Sequence, residues 1–437
     1  MERVLARDVK SHAGKQVTVQ GWLHKKRLLG GLNFINLRDR SGLVQVVIQD
    51  DAEVEKLRGI HIGSVLAITG QAIDEPRAPG GAEIHQPKIE VQVPVADEPP
   101  IEIDKPLSHK SDNLDTLFET RVVGLRNLQE QAIFKIQAET EEAIRKYLRG
   151  QDFTQFNSPK LLPGATEGGA EVFKLDYFGK QATLAQSAQF YKQIMVGVFE
   201  RVFEINPTYR AEPSATTRHM TEFITVDVEM GFTTFPELLN LLSNLINAAV
   251  EDVWKNCAAQ LKLWNATKPL LPAEFPTMTM AEIHEKYSAA TGNNTVGEKD
   301  LRPDEEKWVC EHTAKEHKSD AVFVTDWPAS EAKFYHKVKD NDPETAERFD
   351  LLFRGVEIAT GSMREHRYKV LVDQLAKKAG GKPDDDGFKY FLMAFKYGMP
   401  PHGGFGMGLE RLVEKIIGLN NIKEATLFPR DINRLAP

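Results

Sequence analysis

The chain has 437 residues, more than one core comfortably organises, so two or three domains are expected. Its composition, 41% hydrophobic and 27% charged, is that of an ordinary globular protein. A formal charge of −8 excludes a generic polycation for nucleic acid or membranes, and two cysteines, Cys257 and Cys310, supply neither a disulfide framework nor a metal-ligand set.

The opening "MERVLARDVK" lacks the apolar core of a signal peptide. No apolar run reaches the roughly 18 residues of a membrane span. A cytoplasmic location without a membrane partner is expected. Residues 1–98 then read as a small all-β unit. "QVTVQGWLHKK", "LNFINLRDR", "GLVQVVIQ", "SVLAITGQAI" and "KIEVQVPV" are short β-rich runs divided by Gly and polar turns. Five strands in this length suggest a small barrel, for which the five-stranded oligonucleotide-binding OB-fold is one candidate. The Pro- and charge-rich stretch within 99–125 reads as a linker, which leaves 126–437 as a second domain.

That domain opens with "LRNLQEQAIFKIQAETEEAIRKYLRG", apolar at helical spacing and closed by Gly. "FTQFNSPKLL" follows as a short strand interrupted by Pro159. In "FEINPTYRAEPSATTRHMTEFITVDVEM" two strands flank a polar loop. Alternation puts Glu204, Asn206, Thr208 and Arg210 on one face of the first, with Phe203, Ile205 and Tyr209 opposite. On the second, Phe223, Thr225, Asp227 and Glu229 share a face opposite Ile224, Val226 and Val228. Arg holds phosphates through two N–H groups, Phe offers a flat surface for a base, and Asp holds an ammonium. The set suits a nucleotide plus an amino acid. It also suits a solvated hairpin with surface ion pairs, and the stretch alone leaves both open. A long helix is expected over "FPELLNLLSNLINAAVEDVWKNCAAQL", then a mixed region, then strands in "DAVFVTDWP" and "ERFDLLFRGVEIATG". If Arg354-Gly355 is a hairpin turn, Asp350 and Glu357 share one face and form an oxygen-ligand pair suited to Mg²⁺. A solvent-facing acidic hairpin is the alternative. Later comes "PPHGGFGMGLERLVEKIIG", where Gly403, Gly404, Gly406 and Gly408 allow close backbone approach to a ligand, or equally a tight strand–helix turn, and a helix carrying Arg411 follows. The whole is an α+β pattern.

These segments resemble the class II aminoacyl-tRNA synthetases. "FTQFNSP" is similar to motif 1, "YRAE…TRHMTEF…DVE" to motif 2 and "GMGLERL" to motif 3, in the family's order and spacing. "GWLHKKRLLGGLNFINLRDRSGLVQVVI" resembles the anticodon-binding barrel of subclass IIb, which holds the aspartyl, asparaginyl and lysyl enzymes. The resemblance implies an antiparallel-sheet catalytic domain flanked by helices, and a homodimer with Pro159 at its interface. Within the subclass, "LAQSAQFYKQIM" resembles archaeal-type aspartyl enzymes, because asparaginyl enzymes usually carry leucine in place of Lys192. A buried side-chain carboxylate needs such a cation, and an amide does not. The implied activity is ATP-dependent attachment of L-aspartate to tRNA through an aspartyl-adenylate.

By the same resemblance, Lys192 and Arg364 meet the substrate's side-chain carboxylate. Gln189 and Asp227 hold its ammonium with Ser187 nearby. Glu167 lies in a closing loop, and Lys333 and Tyr335 complete the aspartate site. For ATP, Arg210 contacts the α-phosphate, and Arg218, His219 and Arg411 engage the β/γ-phosphates and the adenine surroundings. Phe223 stacks under the base, and Glu212, Glu357 and Gly408 complete the ATP site. Asp350, Glu357 and Thr360 are the implied Mg²⁺ ligands, and Arg210, Glu357 and Arg411 the implied catalytic residues. At the anticodon, Phe34 stacks a base, Gln45 and Glu83 read base edges, and the run His24-Lys25-Lys26-Arg27 with Arg38 and Arg40 meets the backbone. His24 and Pro79 stand where enzymes that reject asparagine tRNA commonly have Trp and Lys. A non-discriminating enzyme is therefore expected, charging both tRNA-Asp and tRNA-Asn, with a downstream amidotransferase as partner. The competing expectations are a discriminating aspartyl enzyme, an asparaginyl enzyme, an ammonia-dependent amide-forming paralogue, and an inactive RNA-binding paralogue.

Overall fold

The computed structural model describes every residue except 1, 29, 32, 110–113, 164–171, 215 and 386. The chain divides into two compact units, Met1–Gln131 and Ala132–Pro437. In the first, strands Gln16–Leu28, Asn33–Asp39, Gly42–Ile48, Val65–Asp74 and Ala82–Val93 close into a five-stranded barrel. Val17, Val19, Ile35, Leu37, Val44, Val46, Ile68 and Ile84 alternate inward to fill it. The five strands stand where the β-rich runs place them. Between the third and fourth the structure adds a helix that the sequence reading missed, Asp51–Arg58. Its signals are local: Asp50 accepts the Ala52 N–H at its start, and Val54 and Leu57 are its buried side.

The second unit is built on a nine-stranded sheet. From one edge the order is Thr277–Thr279, Ala321–Pro328, Asp342–Phe353, Val356–Met363, His402–Gly408, Glu222–Gly231, Arg201–Tyr209 and Thr154–Gln155, with Val338–Lys339 paired beside the third. Its centre is antiparallel, and a parallel pair closes each edge. Two hairpins far apart in sequence, Arg201–Tyr209 with Glu222–Gly231 and Asp342–Phe353 with Val356–Met363, are joined by the glycine-rich strand His402–Gly408.

Helices cover one face. Leu128–Gly150 buries Ile133, Ile136, Ile144 and Leu148, the side its helical spacing predicts. Phe235–Asn256 starts at a capping box between Thr234 and Glu237 and buries Leu238, Leu242, Leu245, Ile246, Ala249 and Val253. The expected single helix there is broken at Cys257, and a short second one runs Ala258–Leu263. Both long helices and the helix Leu409–Ile417 pack on Phe203, Val226, Phe349 and Phe405 of the sheet in one core. Among the described residues, no helix is long and apolar enough to cross a membrane.

Candidate active site

The first hairpin pairs Arg201 with Met230 through Tyr209 with Glu222, so Glu204 lies opposite Asp227. Its charged face is not solvated. Glu204, Thr208, Asp227 and Glu229 are buried, which removes the surface-hairpin alternative. A buried carboxylate needs partners, and each has them. Glu204 accepts from Ser158 and Lys160. Asp227 accepts from Lys192 Nζ at 2.8 Å and from the Thr225 hydroxyl. Glu229 accepts two N–H bonds from Arg364, at 2.8 and 3.1 Å.

Lys192 reaches this floor because Ser187 and the helix Gln189–Phe199 carry it there. The Ser187 hydroxyl accepts the Gln189 N–H at 3.0 Å, and Gln189 and Lys192 are one turn apart on the same side. Lys192 Nζ also donates to Phe405 O at 2.8 Å and lies 3.6 Å from Glu229. Arg364 donates further to Ser362 Oγ and Gly404 O. Burial pushes its pKa down, and the Glu229 carboxylate more than offsets that, so Arg364 stays charged. Lys192 in turn holds the buried Asp227 carboxyl below its usual range, against the upward push of burial. Four buried charges, Lys192, Arg364, Asp227 and Glu229, thus sum to zero. Glu229, on the same face as Asp227 in the alternation, is a site residue the sequence reading left without a role. In this structure it takes the Arg364 fork that the resemblance assigns to substrate.

Above this floor lies a cavity of about 630 Å³. It brings together Ser187, Gln189, Lys192, Asp227, Lys333, Tyr335 and Arg364 with Arg210, Glu212, Arg218, His219, Phe223, Glu357, Thr360, Gly408 and Arg411. Every described residue expected at the amino-acid and nucleotide sites lines it. Asp350 does not line it but is bonded to Thr360, which does. Glu167 lies outside the described residues. The Gln189 Nε2 is buried with no hydrogen-bond partner among the described residues, a donor set for a ligand. Arg210 sits 5.6 Å from the Phe223 ring centroid. His219 bonds Thr216, and burial, then Arg411, keeps its pKa below the usual value. Arg411 donates to Glu357 O at 2.7 Å and to Arg218 O at 3.4 Å.

The glycines divide by task. A Cβ at Gly404 would lie 2.1 Å from Glu229 and Val228 O, and one at Gly403 would strike Met363. Those two glycines make room for protein neighbours, not for a ligand as expected. Gly406 and Gly408 line the cavity.

In the second hairpin, Arg354 and Gly355 have φ of 47° and 81°, the two-residue turn expected. A bulge between Leu351 and Leu352 then sets Leu352 opposite Glu357 and Asp350 opposite Thr360. Burial pushes the Asp350 carboxyl up to about 7; Arg348 lowers it and Glu357 raises it. Arg348, stacked 3.9 Å from the Trp327 ring centroid and bonded to Asp350 at 3.0 Å, is a lining residue that sequence reasoning missed. Asp350, Glu357 and Thr360 offer hard oxygen atoms, and a buried carboxylate beside a partly exposed one suits a divalent cation. Among the described residues, no cluster of three His, Cys, Asp or Glu side chains able to hold a metal occurs; the hydroxyl is the third donor.

On the barrel, Phe34, Gln45, Glu83 and Pro79 are partly exposed. Gln45 and Glu83 face each other across paired strands and hydrogen-bond at 2.6 Å, and His85 adds a bond to Glu83. His24 is buried at the bulge between Leu23 and Lys25, and burial lowers its pKa. Two of these basic residues are engaged within the barrel unit itself. Lys26 caps the helix Asp51–Arg58 by donating to Leu57, Arg58 and Ile60 carbonyls, and Arg38 is buried over Trp22. Pro159 is exposed after the two-residue strand Thr154–Gln155.

Comparison with known proteins agrees with this geometry. Residues 113–432 match the tRNA synthetases class II (D, K and N) family, and residues 17–93 the OB-fold nucleic acid binding domain. The chain is 42% identical over 439 residues to an aspartate–tRNA(Asp/Asn) ligase of Thermus thermophilus, covering 100% of both. It is 40% identical over 442 residues to the enzyme of that name from Archaeoglobus fulgidus, again covering 100% of both. Among solved structures it is similar to asparaginyl-tRNA synthetase of Pyrococcus horikoshii bound to asparaginyl-adenylate, with a TM-score of 0.92, 31% identity and 100% of both chains covered. A putative aspartyl-tRNA synthetase of Leishmania major aligns at a TM-score of 0.90 and 26% identity, over 100% of this chain and 95% of that one. Barrel, sheet, motif order and relatives converge: the chain belongs to the class II tRNA synthetases of the D, K and N family.

Proposed function

We propose that the protein is an ATP-dependent aspartate–tRNA ligase that works through an aspartyl-adenylate and charges both tRNA-Asp and tRNA-Asn. The observation that carries the amino-acid choice is the charge balance of the cavity floor, where Lys192 and Arg364 offset Asp227 and Glu229. Aspartate adds one ammonium and one side-chain carboxylate there, so the buried sum stays at zero. Asparagine adds the ammonium alone and leaves an uncompensated buried charge, which is strongly unfavourable. Asp227 and Gln189 take the ammonium, beside Ser187. Lys192 and Arg364 take the carboxylate, with Glu229 fixing the guanidinium, and Lys333 and Tyr335 line the same cavity.

The substrate α-carboxylate then faces the α-phosphorus of ATP. It attacks in line, a C–O–P bond forms, and pyrophosphate leaves with the bonding pair. Arg210 stabilises charge at the α-phosphate, and Arg218, His219 and Arg411 engage the rest of the polyphosphate. The base packs on Phe223, and Glu212 and Gly408 line the same cavity. Mg²⁺ held by Asp350, Glu357 and Thr360 would neutralise polyphosphate charge. The protein's own part is positioning, with no nucleophile or base of its own. The terminal ribose hydroxyl of tRNA next displaces AMP from the adenylate.

Residues 1–98 act as the anticodon-binding domain in this reading, 99–125 as a linker and 126–437 as the catalytic domain. The protein works in the cytoplasm as a homodimer with the Pro159 segment at the interface. Its aspartyl-tRNA-Asn is passed to an amidotransferase. ATP–pyrophosphate exchange tests the amino-acid choice: turnover with aspartate supports the reading, and turnover with asparagine but not aspartate overturns it. The 0.92 TM-score to an asparaginyl enzyme makes that second outcome the specific rival.

A further inference from the structure

The region between the two hairpins enters none of the motifs, yet it touches the cavity. Its helix Pro303–Glu316 starts at a capping box, in which Glu305 is committed to its own N-terminus and to His284. The next residue, Glu306, lies against an arginine that lines the cavity. Its Oε2 accepts from Arg218 Nη1 at 2.8 Å. Arg218 lies in the polar loop of the first hairpin, between Tyr209 and Glu222, where there is no regular ladder to hold it. Two contacts pin it. The Arg218 carbonyl accepts from Arg411 Nη2, and its guanidinium is held by Glu306. The Thr216 hydroxyl accepts its N–H besides.

The contact to Glu306 is monodentate. Among the described residues Arg218 makes one side-chain hydrogen bond, so the rest of the guanidinium fork is presented to the cavity it lines. Glu306 itself is not among the residues lining that cavity. An arginine on an irregular loop loses several rotors when it binds a phosphate. A carboxylate behind it meets part of that cost before the ligand arrives.

We propose that Glu306 is a positioning residue for ATP: it holds the Arg218 guanidinium in its phosphate-binding pose, so that the 303–316 helix sets nucleotide affinity without touching nucleotide. The inference rests on the reading that Arg218 meets the ATP polyphosphate. An internal competitor that must be displaced by ATP would have the opposite effect on affinity, which makes the sign decisive.

The test is aspartate-dependent ATP–pyrophosphate exchange by the full-length chain, with Glu306→Gln, Arg218→Ala and the double variant. Glu306→Gln is expected to raise the ATP KM about three- to tenfold, as for loss of one charge-assisted contact. The aspartate KM and kcat are expected to stay within about twofold, which also reports that the variant is folded. The double variant is expected to match Arg218→Ala, because Glu306 acts through Arg218. Glu306→Asp, which keeps the charge on a shorter arm, is expected to fall between wild type and Glu306→Gln. An unchanged or lowered ATP KM in Glu306→Gln overturns the proposal, as does a penalty that adds in full to Arg218→Ala. An unchanged ATP KM in Arg218→Ala is a different failure: it removes Arg218 from the nucleotide site, and the positioning role goes with it.

Discussion

At the scale of single residues, the site is a set of charges whose partners are already chosen. Arg210→Ala should slow adenylate formation by roughly two to three orders of magnitude, the usual loss for a transition-state charge contact. Single-turnover adenylate formation within a few-fold of wild type would remove Arg210 from that role. Lys192→Leu has two expected consequences. Aspartate KM should rise sharply while ATP KM stays near wild type. Because Lys192 also offsets buried Asp227, the variant should lose stability, on the order of 3–5 kcal/mol for one partner of a buried pair. A variant that melts like wild type would mean that Asp227 has another partner or a proton. The side chains that line the cavity were legible from sequence because their types carry the chemistry. Glu229 and Arg348 were not, since each acts on another residue of the site: one on Arg364, the other on Asp350.

At the scale of elements, helix and hairpin set the electrostatics. The helix Leu409–Ile417 carries Glu410 in its first turn, with both carboxyl oxygens accepting from the Ile224 N–H, at 3.0 and 3.1 Å. Burial pushes this carboxyl up to about 7, from an ordinary value of 4.5. The folded state therefore binds a proton that the unfolded chain releases, and stability falls as pH rises from about 4.5 to 7. Glu410→Gln should flatten that fall. Without nucleotide or metal, its melting temperature should gain on wild type between pH 5 and pH 8, by up to about 3 kcal/mol in stability. A constant difference across that range would show that Glu410 ionises freely. Asp350 on the second hairpin, also raised to about 7, contributes a slope of the same sign that the variant leaves in place. For the hairpin, Asp350→Asn should raise the Mg²⁺ needed for half-maximal exchange by at least about tenfold, and an unchanged Mg²⁺ titration would move the metal elsewhere. The long helices and the first hairpin were legible because their periods run on without a register shift, and the second because Arg354-Gly355 marks its turn. The break at Cys257 and the bulge at Leu351–Leu352 were not, since neither has a Gly or Pro to announce it.

At the scale of the whole molecule, barrel and catalytic unit follow separately from composition and strand spacing, and the anticodon site is the part least visible in sequence. A row of Lys and Arg reads as one RNA-binding stripe until Lys26 is seen capping a helix and Arg38 stacked on Trp22. In the proposed reading, discrimination falls to a small polar set around Gln45 and Glu83, and one good base contact is worth about 1–3 kcal/mol. Aspartylation of tRNA-Asp and tRNA-Asn transcripts, compared as kcat/KM at one salt concentration, should agree within about tenfold. A preference for tRNA-Asp above about a hundredfold would mark a discriminating enzyme.

The place of the glycine-rich strand in the sheet bears on how the protein is made. His402–Gly408 lies near the end of the chain, yet it pairs with Val356–Met363 on one side and Glu222–Gly231 on the other. During synthesis both hairpins emerge first, each with an open inner edge and a buried-type charge waiting for its partner. Arg364 can meet Glu229 only when the last strand draws the two hairpins together. Nascent chains stalled before residue 402 should therefore be the aggregation-prone species, and the cavity should appear all at once when residues 402–408 have left the ribosome.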